Sequence, residues 1–253
     1  MPGIHNGIGT TFRSQAFGGG AAPVNPDIIQ EGLIWHLDAG NPASYSGTGT
    51  TWTDLKGSYN GTLTNGATFD SDGGGNIQLD GIDDYVATPI TNSLRSITGT
   101  RSTLAFWFKA DVVNVRQDLL ADYTAAGSNE SCRFGINGYG FGGSKLGGII
   151  NSSATNGLVY TPSAISTATW YYAVILFDGT NAKLYVNNVL EDTTAMTERG
   201  SDGTGGVSIG RAGDYSSGLY LDGNIAQVQC YNRALDATEI ESNFNVHKSR
   251  YGY

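Results

Sequence analysis

Hydrolysis of a glycosidic bond needs two carboxyl groups facing one another, one to protonate the leaving oxygen and one to attack or to activate water. The most closely spaced glutamates here, Glu239 and Glu241, fall on a stretch of helical spacing near the end of the chain, where neighbouring acids face solvent. A second acidic group, Asp80, Asp83 and Asp84, sits in a turn leading into a strand, and its expected uses are sheet-edge solubility or oxygen donation to a metal. Gly206-Val207-Ser208-Ile209-Gly210 has the Gly-x-Ser-x-Gly spacing of a nucleophile elbow. Such an elbow turns a strand sharply into a helix. Ser208 lies instead in a β-type run followed by another loop, and reads as a strand residue. Gly138 to Gly143 likewise has the Gly-x-Gly-x-x-Gly spacing without a βαβ unit around it, and reads as a loop. His5, His36 and His247 are scattered, and neither they nor Cys132 and Cys230 show zinc-ligand spacing. No catalytic residue and no cofactor is therefore expected. Calcium is the one ion the turn carboxylates could serve, with Asp222 as a further oxygen donor.

Sugar recognition makes a smaller demand: exposed aromatic faces that stack on a sugar ring, flanked by amides or carboxylates that satisfy hydroxyls. Tyr139, Phe141, Tyr215 and Tyr220 are loop aromatics of this kind, near Asn137 and Asp214. Subunit packing and loop anchoring are the competing uses of the same residues. Trp35, Trp52, Trp107 and Trp170 lie in or beside strand-like runs and belong in the core.

Such loops need a β framework. Glycine takes 37 of 253 positions, about twice its usual share of roughly 7%. With 39% apolar and 11% aromatic residues the chain can still build a core, and one domain of sandwich size accommodates its length. A formal charge of −9 with no block of Lys or Arg excludes duplex nucleic acid and anionic lipid as partners. No apolar run approaches the roughly 20 residues that span a bilayer, so membrane insertion is not expected. The start lacks the pattern of a Sec-type signal, and the two cysteines read as buried thiols made in a reducing cytoplasm.

From Gly32 onward, short β-type runs alternate with Gly, Asn, Asp and Ser clusters, the pattern of an antiparallel sandwich or barrel. The spacing predicts strands near 33–38, 76–79, 85–88, 103–109, 119–123, 133–136 and 147–151, then 170–177, 183–186, 189–192, 207–209 and 224–231. The run 170–177 is apolar on both faces and suits a central strand; turn residues after it predict a meander through 192. One helix is expected near the end, capped by Asp236 with Glu239 three residues on, and packed across one end of the sandwich. Residues 1–31 form a Gly-rich arm and linker ahead of a domain over 32–253. Ile4, Ile8, Phe12 and Phe17 are spaced along the arm without periodicity, which admits a frayed terminus or an arm that docks on a partner.

Several segments are similar to the LamG-like jelly rolls of the concanavalin A-like lectin and glucanase superfamily. They are Gly-Leu-Ile-Trp-His-Leu-Asp-Ala-Gly-Asn-Pro at 32–42, Thr-Thr-Trp-Thr-Asp-Leu at 50–55, Asn-Gly-Thr-Leu-Thr-Asn-Gly-Ala-Thr-Phe at 60–69 and Leu79 to Val86. Trp170, Leu-Tyr-Val-Asn at 184–187, Ile209-Gly210-Arg211, and Tyr231 to Leu235 with Glu239-Ile240 complete the set. The resemblance implies an all-β, two-sheet antiparallel jelly-roll sandwich with a short C-terminal helix, preceded here by the extended arm. It also implies a structural calcium bound by acids just before Tyr-Asn-Arg-Ala-Leu, whereas this chain has Ala226 and Gln227 there. The opening Leu-Asp-Ala-Gly-Asn-Pro combined with the ending Asn-Phe-Asn at 243–245 and Lys-Ser-Arg-Tyr-Gly at 248–252 resembles virion structural proteins of tailed phages. That narrower likeness implies a non-enzymatic protein of the virion surface, a head decoration or tail-associated subunit. It would be anchored by its arm to other virion proteins, open to homo-oligomers and to host glycan contact. A soluble carbohydrate-binding lectin is the alternative.

Overall fold

The computed structural model of the protein describes residues 27–122, 132–138, 140–150, 157–196, 206–212 and 219–253. In chain order its strands are β1 (Leu33–Asp38), β2 (Thr51–Trp52), β3 (Gly61–Thr64), β4 (Thr68–Asp70), β5 (Asn76–Asp80), β6 (Tyr85–Ala87), β7 (Ser102–Ala110) and β8 (Gln117–Ala121). They continue with β9 (Cys132–Ile136), β10 (Leu146–Ile150), β11 (Gly157–Tyr160), β12 (Trp170–Phe177), β13 (Asn181–Val186), β14 (Val189–Ala195), β15 (Ser208–Ile209) and β16 (Asp222–Tyr231). A short helix α1 (Leu94–Thr98) precedes β7, and α2 (Ala237–His247) follows β16.

Two antiparallel sheets form a sandwich. The first runs β14-β13-β12-β7-β16-β5-β4, with β1 also paired to β16; the second runs β11-β10-β9-β8-β15-β6-β3-β2. Alternation along each strand explains the layering. In β7, Leu104, Phe106 and Phe108 enter the core between the sheets, while Ala105 and Trp107 point to the other face. In β9, Cys132, Phe134 and Ile136 enter the core, which leaves Arg133 and Gly135 facing outward. The apolar run of β12 is central, between β7 and β13, and both of its faces are covered.

What covers the outer face of the first sheet is α2. Asp236 accepts from the Glu239 N–H and Glu239 returns a bond to the Asp236 N–H, so both ends of the expected capping box are present. The helix lies over the sheet face rather than across an end of the sandwich. Phe244 stacks on Trp107 with centroids 5.6 Å apart, and Tyr251 stacks on it at 4.0 Å. Trp107 is fully buried and aromatic, so the surface it presents outside the sandwich needs a cover, and the helix supplies one. Ile28 is buried in this same layer, and the Ile29 N–H donates to Asn243 Oδ1 at 2.8 Å. All four tryptophans are buried, as their positions led us to expect. Cys132 and Cys230 are buried and form no disulfide. Ser208 sits within β15, paired to β6 and β8, and so forms no elbow.

Four strands were not legible as such: β2, β3, β4 and β11 are two to four residues long and rich in Thr and Gly. The strand expected at 119–123 begins at Gln117, because an irregularity in its pairing with β9 between Asp118 and Leu120 displaces the alternation.

Candidate functional site

On the outer face of the second sheet, β8, β9 and β10 build a narrow groove of about 210 Å³, counting the part open to solvent. Its lining includes Asp118, Arg133, Gly135, Gly138, Phe141 and Ile149. Arg133 projects outward because its neighbours Cys132 and Phe134 face the core. Its Nη2 lies 2.6 Å from Asp118 Oδ2, and its Nε lies 2.9 Å from the same oxygen. Both side chains are buried, with 9% and 1% of their surfaces exposed. A buried pair in this geometry is strongly held, since loss of either member strands the other charge.

Glycine makes room for the groove. A Cβ on Gly135 would lie 2.3 Å from the Gln117 carbonyl oxygen, and one on Gly147 would lie 2.5 Å from that of Val159. The strands therefore approach closely under the groove only because these outward positions carry no side chain. One wall is Phe141, whose ring stacks on Tyr160 of β11 with centroids 5.5 Å apart. Lys145 Nζ sits 4.9 Å from the centre of the Tyr160 ring, a cation–π contact, and forms no ion pair among the described residues.

Of the residues singled out for sugar contact, Phe141 lines the groove, but it is 9% exposed and backed by Tyr160 rather than a free stacking platform. Asn137 braces the loop beside it: its amide donates to the Asn114 carbonyl, and its Oδ1 accepts from the Ser144 N–H. Tyr220, half-buried, lies in the segment that enters β16, outside the groove lining. Tyr139, Asp214 and Tyr215 lie outside the described residues, as do Ile4, Ile8, Phe12 and Phe17. Sequence reasoning missed Asp118, Arg133, Lys145 and Tyr160. The alternation Cys-Arg-Phe-Gly-Ile in β9 carried the signal for Arg133, since every second residue of a half-buried strand must face out.

A wider, polar concavity, about 800 Å³ counting the part open to solvent, lies beside α2 and is lined by His36, Asp38, Asn41, Lys56 and His247, among others. At its base both Asp38 carboxylate oxygens accept from the single nitrogen Arg250 Nη1, at 3.1 Å each, and Oδ2 also accepts from the Gln227 amide at 3.2 Å. Arg250 Nε also donates to the Gly73 carbonyl at 3.2 Å. Ala226 and Gln227, which replace the acids that the resemblance implies for calcium, thus adjoin a carboxylate already neutralised by a guanidinium. These residues do not fit that ion. Burial, ahead of the opposing pull of Asp38, holds His36 below its ordinary range and His247 down to about 4.

The geometry of two facing antiparallel sheets with an outward groove is matched by sequence. The Laminin_G_3 family model, described as the concanavalin A-like lectin/glucanases superfamily, matches residues 80–241. The chain belongs to this superfamily. Solved structures of similar fold include domain 4 of AbnA, a GH43 extracellular arabinanase from Geobacillus stearothermophilus, in complex with arabinotriose. It is 15% identical over 85% of this chain and 98% of that one, with a TM-score of 0.63. Trypanosoma rangeli sialidase is 16% identical over 88% of this chain and 34% of its own, with a TM-score of 0.65. The binding domain of botulinum neurotoxin serotype G is 14% identical over 86% of this chain and 51% of that one, with a TM-score of 0.61. This chain therefore spans about a third of the sialidase and half of the toxin structure. At these identities the likeness is one of fold. Among curated proteins, none matches the sequence.

Proposed function

We propose that this protein binds carbohydrate without cleaving it, through the groove on the outer face of the second sheet. The observation that carries the reading is the combination there of an apolar wall, Phe141 on Tyr160, with the buried Asp118–Arg133 pair at hydrogen-bonding depth. The arabinotriose complex of AbnA domain 4, a structure this chain matches almost end to end, supports the ligand class. The non-catalytic reading is supported by the groove's lining, in which Asp118 is the described carboxylate and is committed to Arg133. Glu239 is likewise bound to Arg233, on α2. Glycan-array screening followed by calorimetry on Phe141→Ala tests this. Saturable binding that weakens about tenfold in the variant is expected, because the groove loses the apolar wall that Phe141 forms against Tyr160. No binding across host polysaccharides would refute it, and reducing-sugar release abolished by one carboxylate substitution would replace it with a hydrolase.

A second reading is the virion setting, which rests on the likeness of two segments to tailed-phage structural proteins. The two segments that carry the likeness to tailed-phage structural proteins are joined in space: Asp38 of the opening is held by Arg250 of the ending, and Asn243 bonds Tyr231 and the Ile29 N–H. In that setting the sandwich stands at the particle surface and the arm, with Ile4, Ile8, Phe12 and Phe17, is its anchor. Deleting residues 1–26 should leave a folded chain that is no longer incorporated into particles, read by cryo-electron microscopy. Normal incorporation would overturn the anchoring.

A further inference from the structure

The polar concavity beside α2 lies on the first sheet, away from the sugar groove, and the groups left unsatisfied around it are nitrogens. His36 and Asp38 reach it from β1, and His247 from the end of α2. The His36 N–H donates to Asp54 Oδ1 at 2.8 Å, and the Leu55 N–H donates to the His36 carbonyl at 2.9 Å. These bonds tie the segment after β2 to β1 and set Lys56 on the rim.

His36 is 8% exposed, and its Nε2 is buried with no hydrogen-bond partner. His247 Nδ1 is in the same state. The Lys56 ammonium is exposed and forms no ion pair among the described residues. The carboxylates on this side are, by contrast, supplied with donors. Arg250 and Gln227 hold Asp38, and Asp54 accepts from the N–H groups of His36, Lys56, Ser58 and Tyr59 at 2.8, 2.9, 3.0 and 3.0 Å. Asp27, exposed at the rim, is screened by water and salt. The missing group is therefore an acceptor, and a buried polar atom without its partner costs free energy until one is supplied.

We propose that this concavity binds a small oxyanion, a sulfate, phosphate or carboxylate group, through Lys56, His36 and His247, independently of the sugar groove. Lys56 brings a standing positive charge, and each imidazole brings a ring N–H. Burial, ahead of the opposing pull of Asp38 and Asp54, holds His36 below its ordinary range, and Lys56 and Arg250 push the same way. Burial likewise holds His247 at about 4, with Asp38 opposing and Arg250 and His36 aiding. An anion beside the rings compensates the charge that burial disfavours. The bound state then takes up protons that the free state refuses, so affinity rises as pH falls from about 7 toward about 5. A divalent cation is disfavoured by the same groups, since Arg250 already holds Asp38 and Lys56 stands at the mouth.

The test follows the imidazole NMR signals of His36 and His247 in the full chain during titration with sodium sulfate, against sodium chloride at matched ionic strength. Sulfate stays a dianion throughout, so any pH dependence belongs to the protein. Saturable shifts of both rings are expected, with affinity at least about tenfold greater at pH about 5.5 than at pH about 7. Lys56→Gln alters an exposed side chain and should weaken sulfate about fivefold. His247→Gln should flatten the pH dependence. Glucose 6-sulfate in a parallel titration separates the sources: binding tighter than that of sulfate marks an anion carried on a sugar, and equal binding marks a free ion. No saturable shift up to about 20 mM sulfate at the lower pH would overturn the proposal. So would equal affinity at both pH values, or binding unchanged in both variants.

Discussion

Acidification should weaken this fold through His247 at a pH where most carboxylates are still ionised. The imidazole ends α2 and packs against Asp38, 3.8 Å away, with Arg250 and His36 also nearby. A helix C-terminus and a carboxylate both favour the charged ring. Burial outweighs them, aided by the positive charge of Arg250, and holds the group at about 4. The unfolded chain takes up this proton near the ordinary value of about 6.5. Because the folded value lies below the unfolded one, the unfolded state binds more protons between the two. The stabilisation is complete above about pH 6.5 and is lost as pH falls toward about 4. At about 1.4 kcal/mol per pH unit the loss is about 2 kcal/mol at pH 5 and about 3 kcal/mol at pH 4. His36, also held low by burial, adds a loss of the same sign. Urea unfolding of the native chain and of His247→Gln at pH 7 and pH 5 isolates the effect, since every other titrating group is common to both. The native chain should lose about 2 kcal/mol more than the variant over that interval. Parallel losses would refute the reasoning, because they would mean that His247 is protonated as readily in the folded chain as in the unfolded one.

Two further outcomes follow from packing. Arg250→Ala strands the Asp38 carboxylate, 6% exposed, beside two neutral histidines; a loss of about 3–5 kcal/mol in chemical unfolding is expected, and Arg250→Lys should recover only part of it, since lysine has no counterpart of the Nε that donates to the Gly73 carbonyl. Gly135→Ala places a methyl group 2.3 Å from the Gln117 carbonyl oxygen, so it should cost about 1–3 kcal/mol by the same assay and disturb sugar binding at the groove above it.

Legibility in the sequence followed the length and periodicity of each element. The run 170–177 and the strand 33–38 were readable to the residue, because eight apolar residues in one case, and six bounded by turn residues in the other, leave little freedom. The capping box of α2 was readable because Asp236 and Glu239 act locally. β2 and β3 were not, since two to four residues rich in Thr and Gly carry no period of their own and become strands only by pairing with neighbours.

The sequence by itself determined the β class, the buried tryptophans and the turn that collects Asp80, Asp83 and Asp84. Each depends on composition or on residues within a few positions of one another. Only the tertiary structure decided that Asp118 meets Arg133 fifteen residues away, that Phe141 is backed by Tyr160, and that Arg250 neutralises Asp38 across 212 residues. It also decided that α2 covers Trp107 instead of an end of the sandwich. Contacts of that kind are selected by which strands pair and in what register. Pairing energy is shared along whole sheets, so no single segment of the chain records it.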